Sequence, residues 1–172
     1  GQDTDPVVRK AAAERLTDPN ELTRLAISDD DPLVRTTAVG RMTNAALAVV
    51  AAQDPDPLVR LAAAERLEDP ELIRAMALSE TNASVRVAVI QRLRDQPTLR
   101  LLALSDHDAA VRAAAVERLD EQAALEQIVR QDPIPGVRAR AAARVVDQGL
   151  LREIALDDKS RAVRAAAVGR IT

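Results

Sequence analysis

The sequence contains no aromatic residue, no cysteine and a single histidine. Without cysteine, the chain can form neither disulfides nor thiolate metal sites nor cysteine nucleophiles. One histidine excludes most histidine metal sites and every triad that needs a second one. Without aromatic rings, the chain has no stacking platform for unpaired bases. These absences leave little catalytic or cofactor chemistry open to the protein.

The charged and apolar residues give no signal for a nucleic-acid or membrane partner. Acidic residues slightly outnumber basic ones, 27 against 24, so the chain has no basic footprint for nucleic acid. No apolar run is long enough to cross a bilayer, and no signal peptide is recognisable. We therefore expect a cytoplasmic protein without a membrane partner, and the charge balance disfavours nucleic acid.

The dipeptide Val-Arg recurs seven times, always 25 or 26 residues after the previous copy. A fixed period of this length is typical of solenoid proteins. We number each repeat from its acidic first residue, which places Val at position 6 and Arg at position 7. The second repeat is one residue short, between Thr43 and Ala45. The sequence predicts one continuous array over residues 3–172, with repeats that start at 3, 29, 54, 80, 106, 132 and 158, the last of them incomplete.

Each repeat is predicted to form two short helices. Asp, Asn or Ser at position 3 can cap the first helix, and proline often follows in the first turn. An alanine-rich stretch then continues to position 14, and a second helix begins near Pro19 or Pro70. No strand alternation is present, so the predicted class is all-α. Because helices this short are marginal alone, stability must come from contacts between repeats.

At 100° per residue, positions 6, 9, 10 and 14 are predicted to form the buried arc of the first helix. Positions 5, 8 and 12 face away from this arc and are expected to be polar. Several of them are nevertheless aliphatic, at Val7, Leu33 and Leu58 in position 5 and at Leu61 and Val87 in position 8. One interpretation is an exposed apolar surface. In the other, position 5 packs under the neighbouring repeat's loop and only position 8 is exposed.

Arginine is invariant at positions 7 and 13 of the repeat. The position 7 residues are Arg9, Arg35, Arg60, Arg86, Arg112, Arg138 and Arg164. Arginines next to a buried seam must be paired. The acidic residues at positions 1 and 3 are the obvious partners, so we predict a structural ladder of ion pairs. In the alternative, the arginines form ridges that bind the phosphates of a nucleic acid.

The unit Asp-x-Asp-Pro-x-Val-Arg-x-Ala-Ala-x-x-Arg-Leu resembles HEAT-like repeats, which have Asp and Arg six residues apart, as in Asp54 and Arg60. It is also similar to the leucine-rich repeat variant, whose units read Asp-Pro-x-x-Val-Arg. The resemblance implies an α-solenoid, a right-handed superhelix of seven stacked two-helix repeats. The enzyme and iron–sulfur branches of these families need paired His-Glu motifs, cysteines or aromatic residues that this sequence lacks.

No catalytic, cofactor-binding or metal-binding residue is predicted, and we expect no enzymatic activity. The lone His107 is interpreted as a solvated loop residue, because no second type of ligand converges on it.

The expected function is a non-catalytic protein–protein interaction scaffold, a fragment of a larger protein. The predicted partner is another protein or a peptide segment, bound at Leu33, Leu58, Leu61 and Val87. The resemblance would place these residues on the inner surface of the superhelix. Neither terminal repeat has a polar capping face, so end-to-end self-association is also expected. Nucleic-acid binding along the arginine ridges remains the alternative function.

Overall fold

The computed structural model describes residues 3–42, 50 and 53–172. Within these ranges the chain forms twelve α-helices and no strand. None of the described helices is both long and apolar enough to cross a membrane. The first helices of the seven repeats are α1 (Pro6–Ala13), α3 (Pro32–Val39), α4 (Pro57–Ala64), α6 (Ala83–Arg92), α8 (Ala109–Arg118), α10 (Pro135–Ala142) and α12 (Arg161–Val168). The second helices are α2 (Pro19–Ser28), α5 (Pro70–Ser79), α7 (Gln96–Ser105), α9 (Gln122–Gln131) and α11 (Gln148–Asp157).

The all-α repeat architecture predicted from the sequence is confirmed. The one-residue deletion in the second repeat lies outside the described residues, as does nearly all of that repeat's predicted second helix.

The chain forms two compact units, Gly1–Arg92 and Leu93–Thr172. In the first unit, α1 packs on α3, α3 on α4 and α4 on α6, while α2 and α5 pack on the first helix of the next repeat. In the second unit, α8 packs on α10 and α10 on α12, and α7, α9 and α11 pack in the same way on the first helix that follows them. This regular stacking of like helices is that of an α-solenoid.

The predicted caps start most of the first helices. Side-chain oxygens at position 3 accept backbone N–H groups of the first turn in five repeats, at Asp5, Asp31, Asp56, Asn82 and Asp108. Ser160 precedes α12 but makes no such bond, and Ile134 before α10 has no capping oxygen. A second set of caps, which the sequence analysis did not predict, starts second helices at Asp18, Asp69, Asp95 and Asp147.

The buried arc of the first helix differs from the predicted one at two positions. Position 9 is wrong as a buried position, because Ala62 and Ala88 are only half-buried and Arg140 is exposed. Position 11 is buried instead, as at Val39, Ile90 and other residues of the core. Each first helix has neighbours on two sides. Positions 6 and 10 face the preceding repeat, and position 11 faces the following one.

Candidate functional site

Three aliphatic side chains project into solvent from neighbouring helices of the first unit. Val7 on α1, Leu33 on α3 and Leu58 on α4 are 71%, 61% and 60% exposed. Because α1 packs on α3 and α3 on α4, the three residues form one row. Leu61 and Val87 are half-buried beside it. The alternative in which position 5 packs under a loop is therefore wrong. We call these five residues the apolar row.

Charged and polar side chains lie along the apolar row, and the row ends within the first unit. Lys10 and Glu14 form an exposed ion pair on α1, and Glu65 and Gln91 are exposed on later helices. In the second unit, position 5 holds only small residues, namely Ala110, Gly136 and Ala162. An apolar centre with a polar edge is the usual composition of a protein-binding surface.

Position 7 arginines pair with the position 1 acid of the following repeat. Nε and Nη2 each donate to one carboxylate oxygen, and the closest N–O distances are 2.7–2.9 Å. The pairs described are Arg9–Asp29, Arg35–Asp54, Arg60–Glu80, Arg112–Asp132 and Arg138–Asp158. The acidic side chains are only 4–8% exposed, so this bidentate geometry compensates charges that have lost most of their water. We call this series the ladder.

Each side chain of the ladder is held by further hydrogen bonds. Nη1 of Arg60 donates to the carbonyl oxygens of Asp54 and Pro55 at 2.8 and 3.1 Å. The acid accepts a backbone N–H two residues ahead, as Glu80 does from Asn82 at 2.7 Å. The arginine and the acid are thus oriented before they meet, which reduces the conformational entropy lost in pairing.

The ladder lowers the pKa of several of its carboxyl groups. Hydrogen bonds from Arg9 hold the pKa of Asp29 below its ordinary value, against the opposing effect of burial. Arg60 has the same effect on the pKa of Glu80, and Arg138 on that of Asp158. The folded chain therefore keeps these carboxylates ionised at a lower pH than the unfolded chain does.

The position 13 arginines contact backbone rather than the acids predicted for them. Arg41 donates to the carbonyl of Leu16 at 3.0 and 3.2 Å, and Arg92 to that of Leu67 at 2.6 Å. The equivalent bonds of Arg66, Arg118 and Arg144 end on Met42, Leu93 and Leu119. Each acceptor is at position 14 of the preceding repeat, where the first helix has ended and the carbonyl has no helical donor. Arg144 alone among these five also reaches an acid, Asp120.

Both arginine series thus direct their donors at groups within the chain. A ridge that binds phosphates needs guanidinium groups available to solvent. The nucleic-acid alternative is therefore not favoured.

A glutamine at position 17 links successive repeats in the second unit. Oε1 of Gln122 accepts the N–H of Val146 at 3.1 Å, and its Nε2 donates to the carbonyl of Arg144 at 3.4 Å. Gln96 and Gln148 make the same two contacts one repeat earlier and later. The sequence analysis missed this link, although glutamine at position 17 of three successive repeats was a visible signal.

Replacing Gln122 with alanine is expected to lower the free energy of unfolding by about 1–2 kcal/mol, because two backbone groups lose their partner. Urea denaturation followed by circular dichroism at 222 nm measures the change. Gln127→Ala, on the exposed side of the same helix α9, is the matched control and should have little effect. Equal stabilities of the two variants would show that the glutamine link contributes nothing.

His107 lies in an exposed loop, with its side chain 81% exposed and its Nδ1 3.6 Å from Asp106. Within the described ranges, no group of three or more acidic or histidine side chains could hold a metal ion. The absence of catalytic, cofactor and metal residues stays a prediction.

Comparison with known proteins identifies the family. Neither a protein-family model nor a curated protein matches the sequence significantly. Among solved structures, the YibA protein of Escherichia coli is 22% identical, with a TM-score of 0.59 over 98% of this chain and 74% of that one, which shows a similar fold. A leucine-rich repeat variant with a novel repetitive motif is 33% identical, with a TM-score of 0.83 over 99% of this chain and 68% of that one. The chain therefore belongs to the leucine-rich repeat variant family, with the α-solenoid fold.

Proposed function

We propose that this chain is a non-catalytic scaffold that binds a protein segment at the apolar row. One observation carries the proposal: Val7, Leu33 and Leu58 are all at least 60% exposed and lie on successive packed helices. Scattered apolar side chains are normal on a protein surface, whereas an aligned row of them is typical of interaction sites. The cytoplasmic location and the membership of a larger protein expected from the sequence are part of this proposal.

The spacing of the apolar row defines the partner that would fit it. Packed helices lie about 8–10 Å apart, so the row offers one aliphatic contact at about that interval. A helix rises about 10 Å over seven residues, and an extended strand does so over three. The expected partner is a segment with an aliphatic residue at one of these spacings.

The test compares the wild type with the double variant Leu33→Glu/Leu58→Glu as immobilised bait in nuclease-treated lysate. Both changes are at exposed positions in the first turn of a helix, where an acidic residue is favourable, so the variant should keep its helical circular-dichroism spectrum. A captured protein is then purified and its affinity for both chains measured. Two lost leucine contacts of about 1 kcal/mol each predict a loss of about 30-fold.

Leu156→Glu is the matched control, because Leu156 is 80% exposed but belongs to the second unit. A partner retained by the wild type and by this control, and lost by the double variant, is the expected result. Equal capture by all three chains would contradict binding at the apolar row. Capture that disappears on nuclease treatment would instead support nucleic acid as the ligand.

A further inference from the structure

Arg164, the position 7 arginine of the last repeat, has the local arrangement of the ladder without its carboxylate. Nη1 donates to the carbonyls of Asp158 and Lys159 at 2.7 and 3.3 Å. Arg138 makes the same two bonds to its own loop, and its Nε and Nη2 then donate to Asp158 of the next repeat. Among the residues that the structure describes, no acid pairs with Arg164. Its Nε and Nη2 are therefore available to an external carboxylate.

Asp3, the position 1 acid of the first repeat, has the complementary arrangement. Its Oδ1 accepts the N–H of Asp5 at 2.9 Å, as Oδ1 of Asp158 accepts that of Ser160 at 2.7 Å. Asp158 also receives Arg138, whereas no arginine of the described residues pairs with Asp3, which is exposed. The carboxylate of Asp3 is thus oriented like the ladder acids and is open to solvent.

The apolar contacts between repeats are also left open at the two outer faces. Val8, at position 6 of the first repeat, is 48% exposed, whereas Val34 and Val59 at the same position are fully buried by the preceding repeat. Val168, at position 11 of the last repeat, is 58% exposed, whereas Val39 at that position is fully buried by the following one. Each face therefore presents one half of the contact that joins internal repeats.

We propose that the chain binds a second copy of itself head to tail, with α12 of one copy packed against α1 of the other and Arg164 paired with Asp3. Val168 then meets Val8, as position 11 meets the following repeat within each unit. Arg15 would reach the carbonyl of Ile171, the bond that Arg41 makes to Leu16.

Two different surfaces meet in this contact, so each added copy leaves a free end and association is open-ended. The pair of α12 and α1 lacks the packing that second helices add at internal steps. We therefore expect weak association that increases with concentration.

Sedimentation velocity from about 10 μM to about 1 mM tests the proposal. Interference optics are required, because the chain has no tyrosine or tryptophan to absorb at 280 nm. The wild type is expected to form dimers and longer chains. Asp3→Arg alone and Arg164→Glu alone are each expected to weaken association at least tenfold, because each places like charges opposite each other. Arg152→Glu, an equal change of charge at an exposed position of α11, should leave association unchanged.

An equimolar mixture of Asp3→Arg and Arg164→Glu is expected to associate again. In the mixture, each copy meets an end of opposite charge on the other copy. Recovery on mixing cannot arise from misfolding of the single variants, so it tests the contact itself.

Three results would overturn the proposal: a monomer at every concentration, single variants that associate like the wild type, or a mixture that does not recover. A monomer would leave the two faces to neighbouring repeats of a longer chain.

The self-association proposal does not depend on the scaffold function. Leu33→Glu/Leu58→Glu changes the apolar row and neither end, so this variant should associate like the wild type. If it stays monomeric, the apolar row rather than the ends joins the copies, which also overturns the head-to-tail contact. Loss of partner capture with unchanged self-association would separate the two surfaces.

Discussion

Replacing Arg112 with alanine is expected to lower the free energy of unfolding by about 3 kcal/mol. Nε and Nη2 of Arg112 donate to Asp132 at 2.7 and 3.1 Å, and Nη1 donates to the carbonyls of Asp106 and His107 at 3.0 and 3.4 Å. The alanine variant keeps the carboxylate of Asp132, whose side chain is only 5% exposed, and removes the cation that compensates it. The cost comes from this unpaired buried charge rather than from the intrinsic strength of the ion pair.

Arg100→Ala is the matched control for this prediction. Arg100 also pairs with an acid of the next repeat, Glu121 at 3.2 Å, but the two side chains are 54% and 44% exposed. Exposed ion pairs contribute about 0–1 kcal/mol, so this variant should unfold close to the wild type. Urea denaturation monitored at 222 nm compares the three chains. Equal losses for both variants would show that the ladder pair is no more stabilising than a surface pair.

Acid is expected to destabilise the chain steeply below about pH 4. The unfolded chain protonates its Asp and Glu side chains near that pH. The folded chain holds the pKa of Asp29, Glu80 and Asp158 lower, through hydrogen bonds from the ladder arginines. The unfolded state therefore binds more protons as the pH falls. The stability from these carboxylates is complete above about pH 4 and is lost as the pH drops through their folded-state pKa values.

Glu80→Gln isolates one of these groups, because it removes the charge and keeps a similar shape. At pH 7 the variant should be less stable than the wild type by about 2 kcal/mol, the difference between a charge-assisted and a neutral hydrogen bond at a buried site. As the pH falls below about 4, the wild type loses the same charge by protonation and the difference should shrink. Urea denaturation at pH 7, 5 and 3 measures this trend.

Glu71→Gln is the control for the acid experiment, because the side chain of Glu71 is 82% exposed and only 3.5 Å from Arg74. Its effect should stay below about 0.5 kcal/mol at every pH. A gap between wild type and Glu80→Gln that stays constant from pH 7 to pH 3 would contradict the role assigned to the charge of Glu80.

The fold and the chemistry of the ladder could be read from the sequence. The recurrence of Val-Arg established the repeat, and capping residues marked the starts of most first helices. One acid for each arginine predicted that the charges would neutralise each other. These features depend on contacts that every repeat makes in the same way, so seven copies of the pattern express them clearly.

The partner of each arginine was decided only by the tertiary structure. Position 1 of the same repeat and of the next are equivalent in a periodic sequence, and stacking selects the next, as in Arg9 and Asp29. The partners of position 13 were predicted wrongly, because backbone carbonyls at a helix end leave no mark in a side-chain pattern. The buried arc shifted for a related reason: alanine occurs on several faces, and only packing on two neighbours separates position 11 from position 9.

The exposure of the candidate site was also decided by the tertiary structure. The sequence placed Leu33 and Leu58 away from the buried arc, and it left open whether a neighbouring loop covered them. The structure leaves both at least 60% exposed. By itself the sequence determined the repeat, the helices and the charge balance, because these depend on the order of residues along one chain. Which groups meet, and which apolar side chains stay in water, depends on how adjacent repeats stack, and only the tertiary structure decides that.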